Sequence, residues 1–277
     1  MAAPTLGLAI IARDEADTLP GLLASVAGAF DSVVLADTGS TDGTVQVFEK
    51  WATAADLPRG WRVESFPWCD DFAAAREFAD SLLRTDWRAF ADADDQVRGA
   101  EHLRSLVAAA PPEVACLAFD YENDREPGPR VRLTRRGATR WDGRAHAVPA
   151  LVRPGGVAAV APEVAAWVHR REDWTASDER DRRILAAWLR DEPDNPRALA
   201  LTATDALRRD DQDTAVAFLR RYLDHPRTRG ALGPTGHLRA SQALDRLEAG
   251  QAEGDAVLTI LFGIATVDQD DRPSRLD

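Results

Sequence analysis

Residues 32–54 read SVVLADTGSTDGTVQVFEKWATA, and this stretch decides the fold. It opens with a short apolar run rich in valine, which is typical of a buried strand. The polar and glycine residues 37–43 indicate a turn, and the amphipathic residues 44–54 predict a helix. The stretch is therefore one strand–loop–helix unit.

The same unit recurs on either side of this stretch. We predict strands at 6–12, 61–66 and 87–91, and helices at 19–29 and 72–83. Alternating strands and helices of this length predict an α/β fold, with a mainly parallel sheet covered by helices on both faces.

Beyond residue 100 the pattern changes twice. A predicted helix at 100–110 is followed by a mixed region with strands at 114–121, 130–134 and 157–160. From residue 175 onward the periodicity is helical, at 178–189, 196–208, 214–223 and 236–249. We therefore expect an α/β domain at 1–172 and an all-helical appendage at 173–277, in which residues 194–226 form one tetratricopeptide-type hairpin.

Composition excludes several classes of protein. The net charge of −12 argues against a general nucleic-acid binder, since such binding depends on Lys and Arg neutralising phosphates. A local stretch of seven arginines between Arg125 and Arg144 is either a solvated strand edge or an anion-binding surface. Two distant cysteines, no signal peptide and no apolar run of membrane length predict a cytoplasmic protein without a membrane span.

An acidic cluster, Asp92-Ala93-Asp94-Asp95, ends the strand predicted at 87–91. If the strand persists, Asp92 and Asp94 point the same way, and two carboxylates about 4 Å apart repel each other. Oxygen ligands of this kind suit Mg²⁺ or Mn²⁺, which would relieve the repulsion. Taken alone, the cluster is also compatible with an acidic surface turn.

Three further polar clusters follow predicted strands or begin a predicted helix. They are Arg13-Asp14-Glu15, the turn at 37–40, and Asp70-Asp71 before the helix that carries Arg76. Open α/β sheets bind ligands beyond the carboxyl ends of their strands, although each cluster alone can be turn chemistry or a helix cap. Their joint occurrence favours a ligand site.

Several segments carry a family resemblance. LGLAIIARDEADTLPGLLASV (6–26), VVLADTGSTDGT (33–44), WCDDFAAAREFA (68–79) and DWRAFADADD (86–95) resemble family 2 glycosyltransferases of the GT-A fold in order and spacing. The resemblance continues through RLTRRGATRWDGRAHAV (132–148) and WVHRRE (167–172). The chain looks most like the subgroup with a tetratricopeptide-like C-terminus, which includes peptide S-glycosyltransferases.

This resemblance implies a metal-dependent hexosyltransferase that uses a nucleotide-sugar donor, most often a UDP-sugar, and inverts the anomeric centre. Asp37 would contact the base, Arg76 the base and diphosphate, and Asp92 the ribose. Asp94 and His169 would hold Mn²⁺ or Mg²⁺. The full set of residues expected at the donor is Ala12, Arg13, Glu15, Asp37, Gly39, Ser40, Asp71, Arg76, Asp92 and Ala93.

The chain also departs from the family pattern. Asp14-Glu15 stands where the family often has Asn-Glu, and Arg76-Glu77 where it often has Arg-Asn. Ala147 follows His146, where the family commonly has His-Glu, so the usual base is missing. We therefore take Asp142 as the candidate base and place His146 near the transferred sugar, although a lone histidine is often structural.

Two other functions stay open at this point. A nucleotidyltransferase would also use acidic residues and Mg²⁺, but the loop after the first strand lacks its glycines. A catalytically inactive nucleotide-sugar-binding protein with a helical interaction module would explain Ala147. The acceptor is undetermined among a peptide or protein, a glycan, a lipid-linked saccharide, a small molecule and a modified base.

Overall fold

A computed structural model describes residues 2–123, 127–169, 174–224 and 233–249. These residues fall into two compact units. The first contains residues 2–123, 127–142 and 146–169, and the second contains residues 143–145, 174–224 and 233–249. Each unit has its own hydrophobic core.

The first unit is built on a mixed β-sheet. The strands that the structure describes there are β1 Leu6–Ala12, β2 Ser32–Asp37, β3 Trp61–Ser65, β4 Trp87–Asp92, β5 Asp95–Arg98, β6 Val114–Glu122, β7 Gly128–Arg135, β8 Thr139–Asp142, β9 Val148–Leu151, β10 Gly156–Ala159 and β11 Ala166–His169. The main sheet has the order β3-β2-β1-β4-β7-β6-β11-β5, and β10 also pairs with β6. Strands β8 and β9 form a separate antiparallel pair, called here the β8–β9 ribbon.

Helices cover both faces of this sheet, as the sequence predicts. They are α1 Leu19–Ser25, α2 Thr44–Ala54, α3 Phe72–Leu82 and α4 Leu103–Ala109. All residues of β1 are buried, and alternate residues serve opposite faces. Leu8 and Ile10 pack in the core shared with α1, α2 and α4, whereas Ile11 packs against Ala75 and Ala79 of α3.

The register brings three strand ends to one edge of the sheet. Ala12 at the end of β1 pairs with Asp37 at the end of β2. On the other side of β1, Ile11 pairs with Asp92 at the end of β4. The polar residues that follow these strands therefore lie at a common edge, where open α/β sheets bind ligands.

The structure corrects several predicted boundaries. Helix α1 ends at Ser25, because Gly28 adopts a left-handed φ of 75° in the following turn. Strand β4 ends at Asp92, so Asp94 lies in a turn before β5 and not on the same strand face as Asp92. The prediction of a mainly parallel sheet is confirmed, and the sheet is mixed because β7 inserts antiparallel between β4 and β6.

The second unit contains four described helices, α5 Thr175–Asp191, α6 Pro196–Arg208, α7 Gln212–Asp224 and α8 Gly233–Glu248. Asn195 caps α6 by accepting from the backbone N–H groups of Arg197 and Ala198, at 3.1 Å each. Leu199, Leu219 and Tyr222 lead its hydrophobic core. Residues 250–277, the end of the predicted appendage, lie outside the described residues.

In the part of the chain that the structure describes, no helix combines the length and the hydropathy needed to cross a membrane.

Candidate active site

The loops after β1 and β2 are tied together by hydrogen bonds. Asp14, with φ of 54°, accepts from the backbone N–H of Thr41 at 2.7 Å, and its own N–H donates to the Ser40 hydroxyl at 3.0 Å. Asp37 accepts from the backbone N–H of Ser40 at 3.1 Å. The two loops therefore form one preorganised edge, and the Asp37 carboxylate is held within it.

Other predicted donor residues have local structural partners. The Ala12 carbonyl accepts from both the N–H and the hydroxyl of Thr38, at 2.9 and 3.1 Å. Asp71 caps α3 by accepting from the N–H of Ala74 at 2.9 Å. Gly39 has φ of +107° with open space around it, so a side chain there would be strained but not blocked.

Arg76 and Asp92 form an ion pair at the same edge. The guanidinium Nη2 donates to Asp92 Oδ1 at 2.6 Å. Burial acts to raise the pKa of Asp92, but the charges of Arg76 and Arg132 and the hydrogen bond from Arg76 outweigh it and hold this pKa below its usual range. Asp92 keeps about a third of its side chain exposed, so an ionised carboxylate faces the edge.

Asp94 and His169 meet because β11 pairs antiparallel with β5. This pairing sets His169 opposite Asp95, directly after the turn that holds Asp94. Nδ1 of His169 lies 3.0 Å from Asp95 Oδ1 and 3.6 Å from Asp94 Oδ1. Ligand atoms of the three residues all lie within 4.8 Å of one another, which is the spacing of a compact metal-binding group.

Asp95 is fully buried, and its functional position is not evident from the sequence. Its Oδ1 accepts from the Tyr121 hydroxyl at 3.1 Å and faces His169 Nδ1, while its Oδ2 accepts from the N–H of Asp92 at 3.0 Å. Arg132 Nη1 lies 3.5 Å from the same Oδ2. With both oxygens engaged, Asp95 orients its neighbours, and a Nδ1–H donated to it leaves the lone pair of His169 on Nε2, a buried atom.

Two arginines of the arginine-rich stretch are structural. Arg132 is buried, with its guanidinium 4.8 Å from the Phe90 ring and 4.4 Å from the Tyr121 ring. Arg135 donates to the backbone carbonyls of Val114, Ala110 and Pro111. Neither proposed role, a solvated strand edge or an anion site, describes these two residues. Arg125 lies outside the described residues.

The two candidate catalytic residues lie on the β8–β9 ribbon and its connecting loop. Asp142 ends β8, and His146, with φ of 49°, lies in the loop that leads to β9. Both are exposed. The neighbouring Trp141 is buried and contacts Phe90 edge to face, with ring centroids 4.5 Å apart and the Arg76 guanidinium 5.1 Å from its ring. The ribbon is therefore attached beside the Arg76–Asp92 pair.

The buried Asp80 on α3 also contacts Trp141. Its Oδ2 accepts from the indole N–H at 2.9 Å. Burial raises the pKa of Asp80 to about 6, although the indole hydrogen bond opposes this shift. The folded state therefore prefers the neutral acid more strongly than the unfolded chain does.

This preference predicts a pH-dependent stability. Because the folded pKa is raised above 3.8, Asp80 favours folding at low pH, and that contribution is lost as pH rises through about 6. Two pKa units correspond to about 3 kcal/mol. Urea unfolding measures the free energy of unfolding of Asp80→Asn and of the parent at pH 4 and pH 7.5. The variant should gain up to about 3 kcal/mol relative to the parent at pH 7.5, compared with pH 4. An equal effect at both pH values would contradict the prediction, and exposed Asp56→Asn serves as the control.

Comparison with known proteins places the chain in a family. Residues 8–156 match the model of Glycosyl transferase family 2, which is more than half of the chain. The chain belongs to glycosyltransferase family 2. A TPR repeat-containing protein of Synechococcus elongatus is 35% identical over 132 residues, covering 47% of this chain and 30% of that protein. The chain thus spans about a third of the length of this curated relative.

One of two similar solved structures supports the GT-A fold of this family 2 chain. TarS 1–349 of S. aureus, in complex with UDP-GlcNAc, is similar with a TM-score of 0.50 and 14% identity, over 93% of this chain and 90% of that one. A mannosyltransferase of Pyrobaculum calidifontis, in complex with GDP-Man and Mn²⁺, has a TM-score of 0.49 and 16% identity, over 98% of this chain and 89% of that one. The first likeness and the curled mixed sheet agree with the predicted fold class.

Proposed function

We propose that this family 2 chain is a metal-dependent glycosyltransferase that moves a hexosyl group from a nucleotide-sugar donor, with UDP as the nucleotide. The observation that carries the proposal is the Asp94–Asp95–His169 group beside the Arg76–Asp92 pair. An edge that combines a cation site with a nucleotide site is what diphosphate departure requires.

Asp94 and His169 fit a divalent cation. One carboxylate and one imidazole leave coordination positions for water and for donor phosphates, which is how Mg²⁺ and Mn²⁺ are commonly bound beside nucleotides. A bound cation would neutralise the negative charge that develops on the leaving nucleoside diphosphate. Asp95 would orient His169 and not bind the cation itself, since its oxygens are already occupied by internal hydrogen bonds.

The rest of the edge would bind the nucleotide. We assign Asp37 to the base, Asp92 to the ribose hydroxyls and Arg76 to the base and diphosphate. The ion pair at 2.6 Å fixes Arg76 and Asp92 relative to each other before the donor arrives. The proposed periphery of the donor site comprises Ala12, Arg13, Glu15, Gly39, Ser40, Asp71 and Ala93.

Asp142 would complete an inverting displacement. As the acceptor atom attacks the anomeric carbon, Asp142 takes its proton, and the bond to the diphosphate breaks with its electron pair on the nucleoside diphosphate. His146 would lie nearer the transferred sugar. In this proposal, residues 173–277 would form a tetratricopeptide-like region after a donor-binding domain at 1–172.

A nucleotide-sugar screen tests the proposal. Thermal shift with a panel of UDP-, GDP- and dTDP-sugars, with and without Mn²⁺, should give the largest stabilisation for a UDP-sugar with the metal. Turnover that releases nucleoside diphosphate distinguishes a glycosyltransferase from a nucleotidyltransferase, which releases pyrophosphate. Metal-dependent binding without turnover against any acceptor class would favour the inactive binding protein.

Removing either Asp37 or Arg76 should weaken UDP binding. A charge-assisted hydrogen bond contributes roughly 1.5–3 kcal/mol, so Asp37→Ala and Arg76→Ala should each raise the Kd about 10- to 100-fold. Isothermal titration calorimetry in Mn²⁺ measures this effect, with the exposed Arg62→Ala as the matched control. Unchanged UDP affinity in both variants would show that the nucleotide does not bind at this edge.

A further inference from the structure

Two carboxylates of α3 bind the same residue of the β8–β9 ribbon. Glu77 and Asp80 are three positions apart and so lie on one side of the helix. Glu77 Oε2 accepts from the backbone N–H of Trp141, and Asp80 Oδ2 accepts from its indole N–H, both at 2.9 Å. Helix α3 therefore binds both the backbone N–H and the indole N–H of Trp141.

Trp141 connects this helix to the nucleotide edge. Its ring packs at 80° to that of Phe90, which lies two residues before Asp92 on β4. The Arg76 guanidinium lies 5.1 Å from both rings. The orientation of Trp141 is therefore set by the same elements that hold the Arg76–Asp92 pair.

The ribbon depends on such an anchor for its position. Strands β8 and β9 pair with each other outside the main sheet, and Asp142 lies opposite Val148 at the loop end of the ribbon. Asp142 directly follows Trp141, so a rotation or shift of the tryptophan moves the carboxylate with it. A two-stranded ribbon by itself is marginally stable.

We propose that Glu77 and Asp80 are positioning residues that hold Trp141 and thereby aim Asp142 at the acceptor. The inference rests on the proposed function, in which Asp142 is the base. It also accounts for Glu77 in place of the asparagine often found after the arginine in this family, because either side chain supplies an oxygen acceptor for the Trp141 N–H.

Kinetics on Glu77 variants test the role in turnover. Glu77→Ala should lower kcat about 10- to 100-fold, because a displacement of about 1 Å costs up to about that much, while UDP affinity changes less than about twofold. Glu77→Gln keeps an oxygen acceptor and should restore most of kcat. Glu49→Ala, an exposed glutamate on α2, should change neither quantity.

A double variant tests the route of the effect. If Glu77 acts through Asp142, Glu77→Ala should cost little further turnover in an Asp142→Asn background. Independent, multiplying losses would overturn the proposal, as would a Glu77→Ala variant that loses UDP affinity as strongly as kcat.

Hydrogen exchange gives a readout that needs no substrate. In Glu77→Ala, and in Asp80→Ala if it folds, peptides covering residues 139–151 should exchange faster, with residues 32–37 unchanged. Unchanged hydrogen exchange in the β8–β9 ribbon would show that Glu77 and Asp80 do not hold it in place. If the parent binds no nucleotide sugar, the proposed function fails, but exchange still decides whether these carboxylates hold the ribbon.

Discussion

Replacing Asp94 with asparagine is expected to reduce turnover by about 100-fold or more without unfolding the protein. The cation proposed at Asp94 and His169 stabilises the leaving diphosphate by several kcal/mol, and an amide oxygen binds Mn²⁺ far more weakly than a carboxylate. Asp94 lies in the turn between β4 and β5, so the near-isosteric change disturbs no strand. Turnover and Mn²⁺ affinity should therefore fall together.

The same substitution at the neighbouring Asp95 is the most informative comparison for Asp94→Asn. Asp95→Asn removes the charge that faces buried Arg132, and breaking such a pair typically costs about 3–5 kcal/mol of folding free energy. Thermal unfolding should therefore distinguish the two variants. The Tm of Asp94→Asn should be close to that of the parent, and the Tm of Asp95→Asn should be clearly lower. Asp56→Asn, an exposed change, controls for loss of charge. Full turnover in excess EDTA would exclude the metal role.

The first half of the fold could be predicted because its signals are local and strong. Strand β1 and helix α2 have the predicted bounds, and the ends of β2 and β4 differ by one residue. Each carries an apolar run or a helical period long enough to be distinguished, and β2 and β4 end at an aspartate. The shared edge of Asp37 and Asp92 then follows from parallel pairing.

The support beneath the candidate metal site could not be predicted in the same way. It depends on pairing between β5 and β11, strands of four residues each, whose partners are about seventy positions apart in sequence. Strands that short carry almost no periodic signal. Residues 130–135 read RVRLTR, an alternation that predicts an exposed Arg132, whereas the structure buries this side chain opposite Asp95.

The β8–β9 ribbon was also missed, and it decides how the candidate base is presented. The sequence places Asp142 in an arginine-rich region without a strand pattern, whereas the structure fixes Trp141 beside it through Glu77 and Asp80. Those two contacts join residues more than sixty positions apart, so only tertiary structure reveals them. Ala147, which follows His146, offers no titratable group, and Asp142 is the nearby carboxylate on the ribbon.

Asp142→Asn is accordingly expected to lower kcat about 100- to 10,000-fold, the usual range for loss of a general base, while the Kd for UDP changes less than about twofold. In the proposed site, the exposed carboxylate on the ribbon belongs to the acceptor side, and Asp37 and the Arg76–Asp92 pair would bind the nucleotide. Steady-state turnover of the donor found in the screen and calorimetry with UDP measure the two quantities.

A fall in kcat without a fall in donor affinity, together with unchanged hydrogen exchange in the ribbon, is what distinguishes a base from a structural residue. A residue needed for the packing of Trp141 on Phe90 and Arg76 would weaken UDP binding in parallel with turnover. A residue that only positions the ribbon, as proposed for Glu77, would lower kcat and speed hydrogen exchange in the ribbon. Hydrogen exchange over residues 139–151 should stay at the parental rate in Asp142→Asn but rise in Glu77→Ala. If kcat and UDP affinity fall equally, Asp142 is structural, and the proton must be taken by another group, with His146 the next to be replaced.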